Sequence, residues 1–187
     1  MHNPRLAARY AKAIVDLSIE KGQLETVYAD MQWLQGVCKS NRDFVNLLRS
    51  PIVKSDIKKK IFGTVSAGRI GELTKGFVDL LITKHRENKL PEIITAFIEV
   101  YKEYNNIHDV TLTTATPVDD NIRNAILDQI RKTTGFEKIE LEEKVNPALI
   151  GGLVLRMGDQ LIDASIAYDL KTIARQFENN DFLYRIR

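Results

Sequence analysis

Apolar residues recur at helical spacing through the first half of the chain. From Pro4 to about Tyr104 they return every three or four positions, and Gly, Pro and Asn interrupt the pattern at five points. The segments between those points have room for six helices, most of them short. Short amphipathic helices are stable when their apolar faces pack together, so residues 1–105 are predicted to form an antiparallel six-helix bundle.

The period changes after Asn106. Val110–Ala115 alternates and is rich in β-branched residues, which predicts a strand, whereas Pro117–Thr134 returns to helical spacing and ends at Gly135. Residues 138–145 alternate charged and apolar positions, as in a strand with one solvated face. With two further strands and a last helix, residues 106–187 are predicted to be a small β-α-β-β-β-α module. The whole chain is then mainly α with a small α+β part.

The segment from residue 146 to 166 has the most unusual pattern. Gly158-Asp159 lies between two β-rich runs, where it can form the tight turn of a hairpin. Asp163 or Ser165 is placed to cap the last helix. That helix is expected to pack back on the hairpin through residues at i, i+4, i+7 and i+11, which are Ile166, Leu170, Ile173 and Phe177.

Two helices carry apolar arcs that are wider than one core-facing stripe requires. They are the first helix and the fifth, near residues 70–84. Such arcs are typical of a groove that accepts an amphipathic helix from another chain. The alternative is that both helices are buried on several sides within their own bundle. The candidate partner-binding residues are Leu6, Tyr10, Ala13, Ile14, Leu17, Phe77, Val78, Leu81 and Ile82.

Composition excludes several classes of protein. No apolar run approaches the roughly 18 residues of a membrane span, and the first residues lack the pattern of a signal peptide. Cys38 is the single cysteine, which rules out an internal disulfide. The three histidines, His2, His85 and His108, have no metal-ligand spacing. The pair Gly151-Gly152 matches no phosphate-loop pattern, so we expect no catalytic, cofactor or metal site.

Charge is distributed unevenly along the chain. Residues 1–104 carry 17 basic and 12 acidic groups, whereas residues 105–187 carry 10 and 13. The first part includes a basic patch of Lys54, Lys58, Lys59 and Lys60. This asymmetry indicates two modules with different partners. It also leaves open an alternative function as a helical-bundle nucleic-acid-binding protein, although a solvated helix face explains the patch more simply.

The glycine-containing segment resembles a known family signature. Its residues Asn146-Pro147-x-Leu149-Ile150-Gly151-Gly152, then Gly158-Asp159 and Ile162-Asp163-x-Ser165-Ile166, are similar to those of the F-type ATP synthase delta subunit family, the bacterial counterpart of the oligomycin-sensitivity-conferring protein. Arg9-Tyr10-Ala11-Lys12-Ala13 and Phe77-Val78-x-Leu80-Leu81 resemble motifs of its N-terminal helices. The motif positions expected to shape the fold are Asn146, Pro147, Gly151, Gly152, Gly158, Asp159, Asp163 and Ser165.

The resemblance implies a noncatalytic stator subunit. Residues 1–105 would bind the N-terminal helix of an alpha subunit in the catalytic head, and residues 106–187 would bind the b-type peripheral stalk. The protein would lie at the cytoplasmic side of the cell membrane, associated with it only through the complex, and would need no cofactor or nucleic acid. Held at both ends, it would couple proton-driven rotation to ATP synthesis.

Overall fold

The computed structural model describes residues 4–178 of the 187-residue chain. These residues are mainly helical and include one small four-stranded sheet, so the coarse fold prediction is confirmed. The backbone divides into two units between Asn105 and Asn106, where the hydrophobic period changes.

The N-terminal unit is built from helices. They are α1 (Pro4–Glu20), α2 (Leu24–Ser40), α3 (Arg42–Arg49), α4 (Ser55–Val65), α5 (Glu72–Thr83) and α6 (Leu90–Tyr104), with a 3-10 turn at Glu87–Lys89. Helix α6 packs against both α1 and α2, and α4 packs against α5. The core that these contacts bury is aliphatic and aromatic, and its largest members include Ile14, Met31, Leu34, Phe62, Leu81, Ile93 and Phe97.

Two polar contacts tie elements of this bundle together. The Tyr101 hydroxyl on α6 donates to the carboxylate of Glu25 on α2, at 2.8 Å to Oε2. Burial is the main cause that raises the pKa of Tyr101, to about 12, and the hydrogen bond to Glu25 adds to it. On the other side, the buried Lys58 ammonium on α4 lies 2.6 Å from Glu87 Oε1 in the 3-10 turn. Both contacts link segments that are distant in sequence, so they fix how the helices meet.

The C-terminal unit contains the sheet. Its elements are β1 (Ile107–Thr114), α7 (Asp120–Thr134), β2 (Lys138–Val145), a 3-10 turn (Pro147–Leu149), β3 (Gly152–Met157), β4 (Gln160–Ser165) and α8 (Ile166–Glu178). The strand order is β2-β1-β3-β4, with β1 parallel to β2 and the other two pairings antiparallel. Within residues 106–178 the core is small, and its buried apolar side chains are Val110, Leu112 and Ile130.

Gly152, at the start of β3, is required by close backbone approach. It has a φ of +75°, and a Cβ there would lie 2.1 Å from the carbonyl oxygen of Ala164. A Cβ on Gly151 would lie 2.6 Å from Ile166 Cδ1, but this is the end of a half-exposed side chain that can move aside. Any side chain at Gly152 would therefore push β3 and β4 apart.

Helix α8 agrees with its prediction only in part. It contacts β4 of the hairpin and the 3-10 turn, as expected. Its apolar stripe is nevertheless not fully covered: Ile166, Leu170 and Ile173 stay about half exposed, and Phe177 retains 74% of its accessible surface. Helical spacing shows that a face is apolar without showing how much of it is covered.

Candidate partner-binding surfaces

An outward apolar stripe runs along α1. Leu6 and Tyr10 are half-buried, and Ala13 and Leu17 are exposed. These positions follow the spacing i, i+4, i+7 and i+11, so they lie along one side of the helix. The opposite side packs into the bundle through Ala7, Ala11, Ile14, Val15 and Ser18.

A second apolar stripe runs along α5, and the two helices meet. Leu73 is half-buried and Leu80 is exposed, at i−4 and i+3 from Phe77. The rings of Tyr10 and Phe77 pack edge to face, with their centroids 6.4 Å apart. This contact joins the outward side of α1 to Phe77 on α5, of which only 9% is exposed. The α1/α5 groove is defined here as Leu6, Tyr10, Ala13, Leu17, Leu73, Phe77 and Leu80.

Five of the residues expected to bind a partner belong to the buried core. Ile14, Val78, Leu81 and Ile82 are at most 1% exposed, so the protein itself covers them and leaves them no surface to offer. Phe77 is also buried and keeps 9% of its accessible surface. Leu73 and Leu80 were missed, although helical spacing from Phe77 was a signal that pointed to both of them.

The position of α5 depends on a side chain from α2. The N-cap residue of α5 is Gly71, which provides no side-chain cap. Instead Asp30, only 6% exposed, accepts from the Gly71 N–H at 2.9 Å and from the Thr74 hydroxyl at 2.6 Å through the same oxygen, Oδ2. A carboxylate at a helix N-terminus satisfies a free N–H and interacts well with the helix dipole. Asp30 therefore holds the helix that forms one wall of the groove.

The C-terminal unit presents its own apolar surface on α8. The α8 stripe, defined as Ile166, Leu170, Ile173 and Phe177, is exposed along its whole length. The motif residues around it hold the start of the helix. Ser165 Oγ caps α8 by accepting from the Tyr168 N–H at 3.2 Å, and Asp163 Oδ1 accepts from the Ser165 N–H at 3.0 Å.

The remaining motif residues form turns. Asn146 Oδ1 accepts from the Ala148 N–H at 3.1 Å, which starts the 3-10 turn that contains Pro147. Gly158 has a φ of +55° and, with Asp159, closes the two-residue loop between β3 and β4. These residues therefore contact other residues of the same chain, where they form its turns.

The alternative sites receive no support from the structure. Lys58, a member of the basic patch, is buried against Glu87 and cannot contact a nucleic acid. His85 and His108 lie in different units, and His2 lies outside the described residues. Within residues 4–178, no group of three or more His, Cys, Asp or Glu side chains is arranged to hold a metal ion. No helix in that range is long and apolar enough to cross a membrane.

Comparison with known proteins identifies the family. The model of the ATP synthase delta (OSCP) subunit family matches residues 6–177. The ATP synthase subunit delta of Christiangramia forsetii is 33% identical over 186 residues and that of Cytophaga hutchinsonii 37% over 180 residues. The first alignment covers all of both chains, and the second covers 95% of this chain and 96% of its relative.

A solved structure shares the fold. A chain in the cryo-EM structure of the Toxoplasma gondii mitochondrial ATP synthase hexamer aligns with a TM-score of 0.70 and 24% identity. The alignment covers 92% of this chain and 97% of that one. The chain described here belongs to the ATP synthase delta (OSCP) subunit family. It is thus a stator-linking subunit of the F-type ATP synthase.

Proposed function

We propose that this protein is a noncatalytic connector in the ATP synthase stator. Its N-terminal unit grips the alpha subunit of the catalytic head, and its C-terminal unit grips the b-type peripheral stalk at the cytoplasmic side of the cell membrane. The observation that carries the proposal is that each unit exposes an apolar stripe at helical spacing. These are the two walls of the α1/α5 groove and the α8 stripe.

The groove fits the apolar face of one amphipathic helix. Tyr10 and Phe77 contact each other where the two helices meet, and Leu17 on α1 and Leu80 on α5 are exposed. A helix lying between them would present residues at i, i+3, i+4 and i+7 to both walls. We assign this surface to the N-terminal helix of the alpha subunit.

The α8 stripe fits a helical stalk. Four apolar residues along one side of a helix of 13 residues form a seam that a second helix can cover along its length. Fully burying a wholly exposed Leu, Ile or Phe side chain is worth roughly 1.5 to 3 kcal/mol. Three stripe residues are already about half covered, so each of them contributes about half of that once a partner covers it, and Phe177 contributes more. We assign the stripe to the b-type stalk subunits.

A connector of this kind needs affinity and stiffness rather than chemistry. With the head held at one end and the stalk at the other, the head cannot turn with the rotor, and rotation is converted into ATP synthesis. The necessary free energy comes from apolar contact at the two surfaces, which requires neither a nucleophile nor a bound cofactor.

The groove is tested with a matched pair of variants on α1. Leu17 and Ile19 are almost equally exposed, at 39% and 37%, but Ile19 lies on the other side of the helix. Leu17→Asp in the full chain should bind a synthetic alpha N-terminal helix roughly tenfold more weakly, whereas Ile19→Asp should bind it normally. Equal affinities for the two variants would refute the groove.

The α8 surface is tested in the same way. Leu170→Asp should abolish capture by the cytoplasmic segment of the b-type stalk, and Thr172→Asp, two residues further along and off the stripe, should leave it intact. Alpha-helix binding should be unchanged in both variants. Normal stalk capture by Leu170→Asp would show that the stalk binds elsewhere.

A further inference from the structure

One face of the four-stranded sheet is apolar and only partly covered. Because paired residues lie on the same side of a sheet, Leu112 on β1 shares this face with Leu155 on β3 and Ile162 on β4. Helix α7 lies over the β1–β2 half, where Arg123 is 2.8 Å from Glu143, the partner of Leu112 on β2. Leu112 is buried, Leu155 is half-buried and Ile162 is exposed. The cover of this face therefore ends before β4.

The exposed part of this face extends along both strands of the hairpin. Alternate residues of β3 and β4 lie on the same side as Leu155 and Ile162. We call this surface the open half-face, and its apolar members are Leu153, Leu155, Met157, Ile162 and Ala164. An apolar sheet face is stabilised when a second layer of structure packs against it.

The open half-face has the width of one helix. Neighbouring strands are about 4.8 Å apart, so β3 and β4 together occupy about 10 Å across the sheet. Packed helices lie about 8 to 10 Å apart, so a helix placed beside α7 would lie over β3 and β4. Two helices side by side therefore cover a sheet of four strands, and α7 is one of them.

Helix α8 is the element best placed to be the second helix. It begins at Ile166, directly after β4 ends at Ser165, so it is tethered to the edge of the open half-face. The Ser165 hydroxyl and the Gly151 carbonyl oxygen, which accepts from the Ile166 N–H at 3.1 Å, hold its first turn. Beyond that turn Leu170 and Ile173 are exposed, so the rest of the helix can tilt about its start.

The spacing of the α8 stripe matches that of the open half-face. A helix rises 1.5 Å per residue and a strand about 3.3 Å, so about seven residues of helix span the same length as three of strand. If α8 folds back along β4 from Ile166, then Ile173 lies level with Ile162. By the same count, Phe177 lies level with Met157. Helix and strands therefore bring apolar side chains together along the whole of α8.

We propose that α8 is a latch that closes on the open half-face when the protein is free of the stalk. In the closed state the α8 stripe packs on β3 and β4, and Lys171 and Arg175, on the opposite side of the helix, face water. The consequence for binding rests on the proposed function, which assigns the same stripe to the stalk. Because the stripe cannot contact the sheet and the stalk at once, closure competes with stalk capture.

Two pairs of cysteines measure closure in the absence of the stalk. In the full chain carrying Cys38→Ser, Ile173→Cys is combined either with Ile162→Cys or, as the control, with Leu161→Cys. Leu161 is 61% exposed and Ile162 49%, but the two lie on opposite faces of the sheet. Under a mild oxidant the first pair should form a disulfide and the control pair should not, because only closure onto the open half-face brings the Cα atoms within the roughly 7 Å that the bond requires. Equal disulfide yields in the two pairs, or none in either, would overturn the proposal.

Affinity for the stalk provides the second measurement. Ile162→Ser weakens the closed state and should tighten capture by the cytoplasmic segment of the b-type stalk, whereas Leu161→Ser should leave it unchanged. A latch that is closed in about half to four-fifths of free molecules predicts a gain of about twofold to fivefold, the reciprocal of the open fraction. Circular dichroism checks that both variants remain folded. Weaker capture by Ile162→Ser would show that the stalk itself contacts the sheet, and unchanged capture that closure does not compete, so either result would refute the latch.

The two measurements separate the latch from the proposed function. If the unaltered chain does not capture the stalk segment, the assignment of the stripe to the stalk is wrong. The cysteine pairs then still decide whether α8 closes, because disulfide formation does not require the stalk.

Discussion

Removing the Asp30 carboxylate should destabilise the N-terminal unit through α5. Asp30→Ala leaves the Gly71 N–H and the Thr74 hydroxyl without their shared acceptor, and Thr74 is fully buried. Loss of a helix cap costs about 1 kcal/mol, and an unsatisfied buried hydroxyl about 1 to 3 kcal/mol. The expected loss is therefore about 2 to 4 kcal/mol, a large share of the ~5 to 15 kcal/mol that stabilises a typical protein.

The single tryptophan allows this loss of stability to be measured for the N-terminal unit alone. Trp33 lies half-buried on α2, so its fluorescence during urea unfolding reports the N-terminal unit without a signal from the sheet. Asp30→Asn keeps one acceptor oxygen and should lose only about 1 kcal/mol, because the charge is removed but a hydrogen bond can remain. Asp16→Ala, at an exposed position on α1, serves as the control.

Comparing the free energies of unfolding of the Asp30 and Asp16 variants tests whether Asp30 holds α5. If the values for Asp30→Ala and Asp16→Ala differ by no more than about 0.5 kcal/mol, the size of a typical surface substitution, then Asp30 does not hold α5. If it is destabilising as expected, alpha-helix binding should also weaken under conditions where the variant remains folded, since α5 is one wall of the groove.

Three further results are expected. Gly152→Ala should unfold the C-terminal unit by circular dichroism and NMR, because its Cβ would overlap the backbone of β4, whereas Gly158→Ala, with positive φ but open space, should cost only about 1 kcal/mol. Lys58→Met should lower the free energy of unfolding by about 3 to 5 kcal/mol in urea titrations followed by Trp fluorescence, since it leaves a buried carboxylate unpaired. Absorbance titration should place the pKa of Tyr101 at about 12, against an ordinary 10.0. Because the folded pKa is the higher one, the stability from this hydroxyl is complete below pH 10 and is lost as the pH rises to about 12.

Local patterns in the sequence predict much of the fold. The positive φ of Gly135 ends α7 at the residue that the sequence indicates, and Ser165 is the cap of α8 that its spacing suggests. Gly158-Asp159 forms the predicted hairpin turn. Each of these features depends on a few neighbouring residues, so the sequence carries the whole signal.

Contacts between distant segments could not be predicted in the same way. A wide apolar arc on α5, which packs against α2 and α4, does not show that Val78, Leu81 and Ile82 are buried while Leu80 stays exposed. The cap that Asp30 supplies to α5 spans 41 residues and leaves no local pattern. Sequence spacing therefore indicates that α1 and α5 carry wide apolar arcs, and packing decides which of their residues face outward.

Gly152 has a consequence for genetics. It is required by backbone crowding, whereas the residues that we assign to partners lie on α1, α5 and α8. A screen for uncoupled cells should therefore recover two kinds of mutant. Changes at Gly152 should lower the amount of intact protein, and a folding chaperone or lower temperature should partly rescue them. Changes on the stripes should leave normal amounts of protein that fails to join the enzyme, and neither treatment should help.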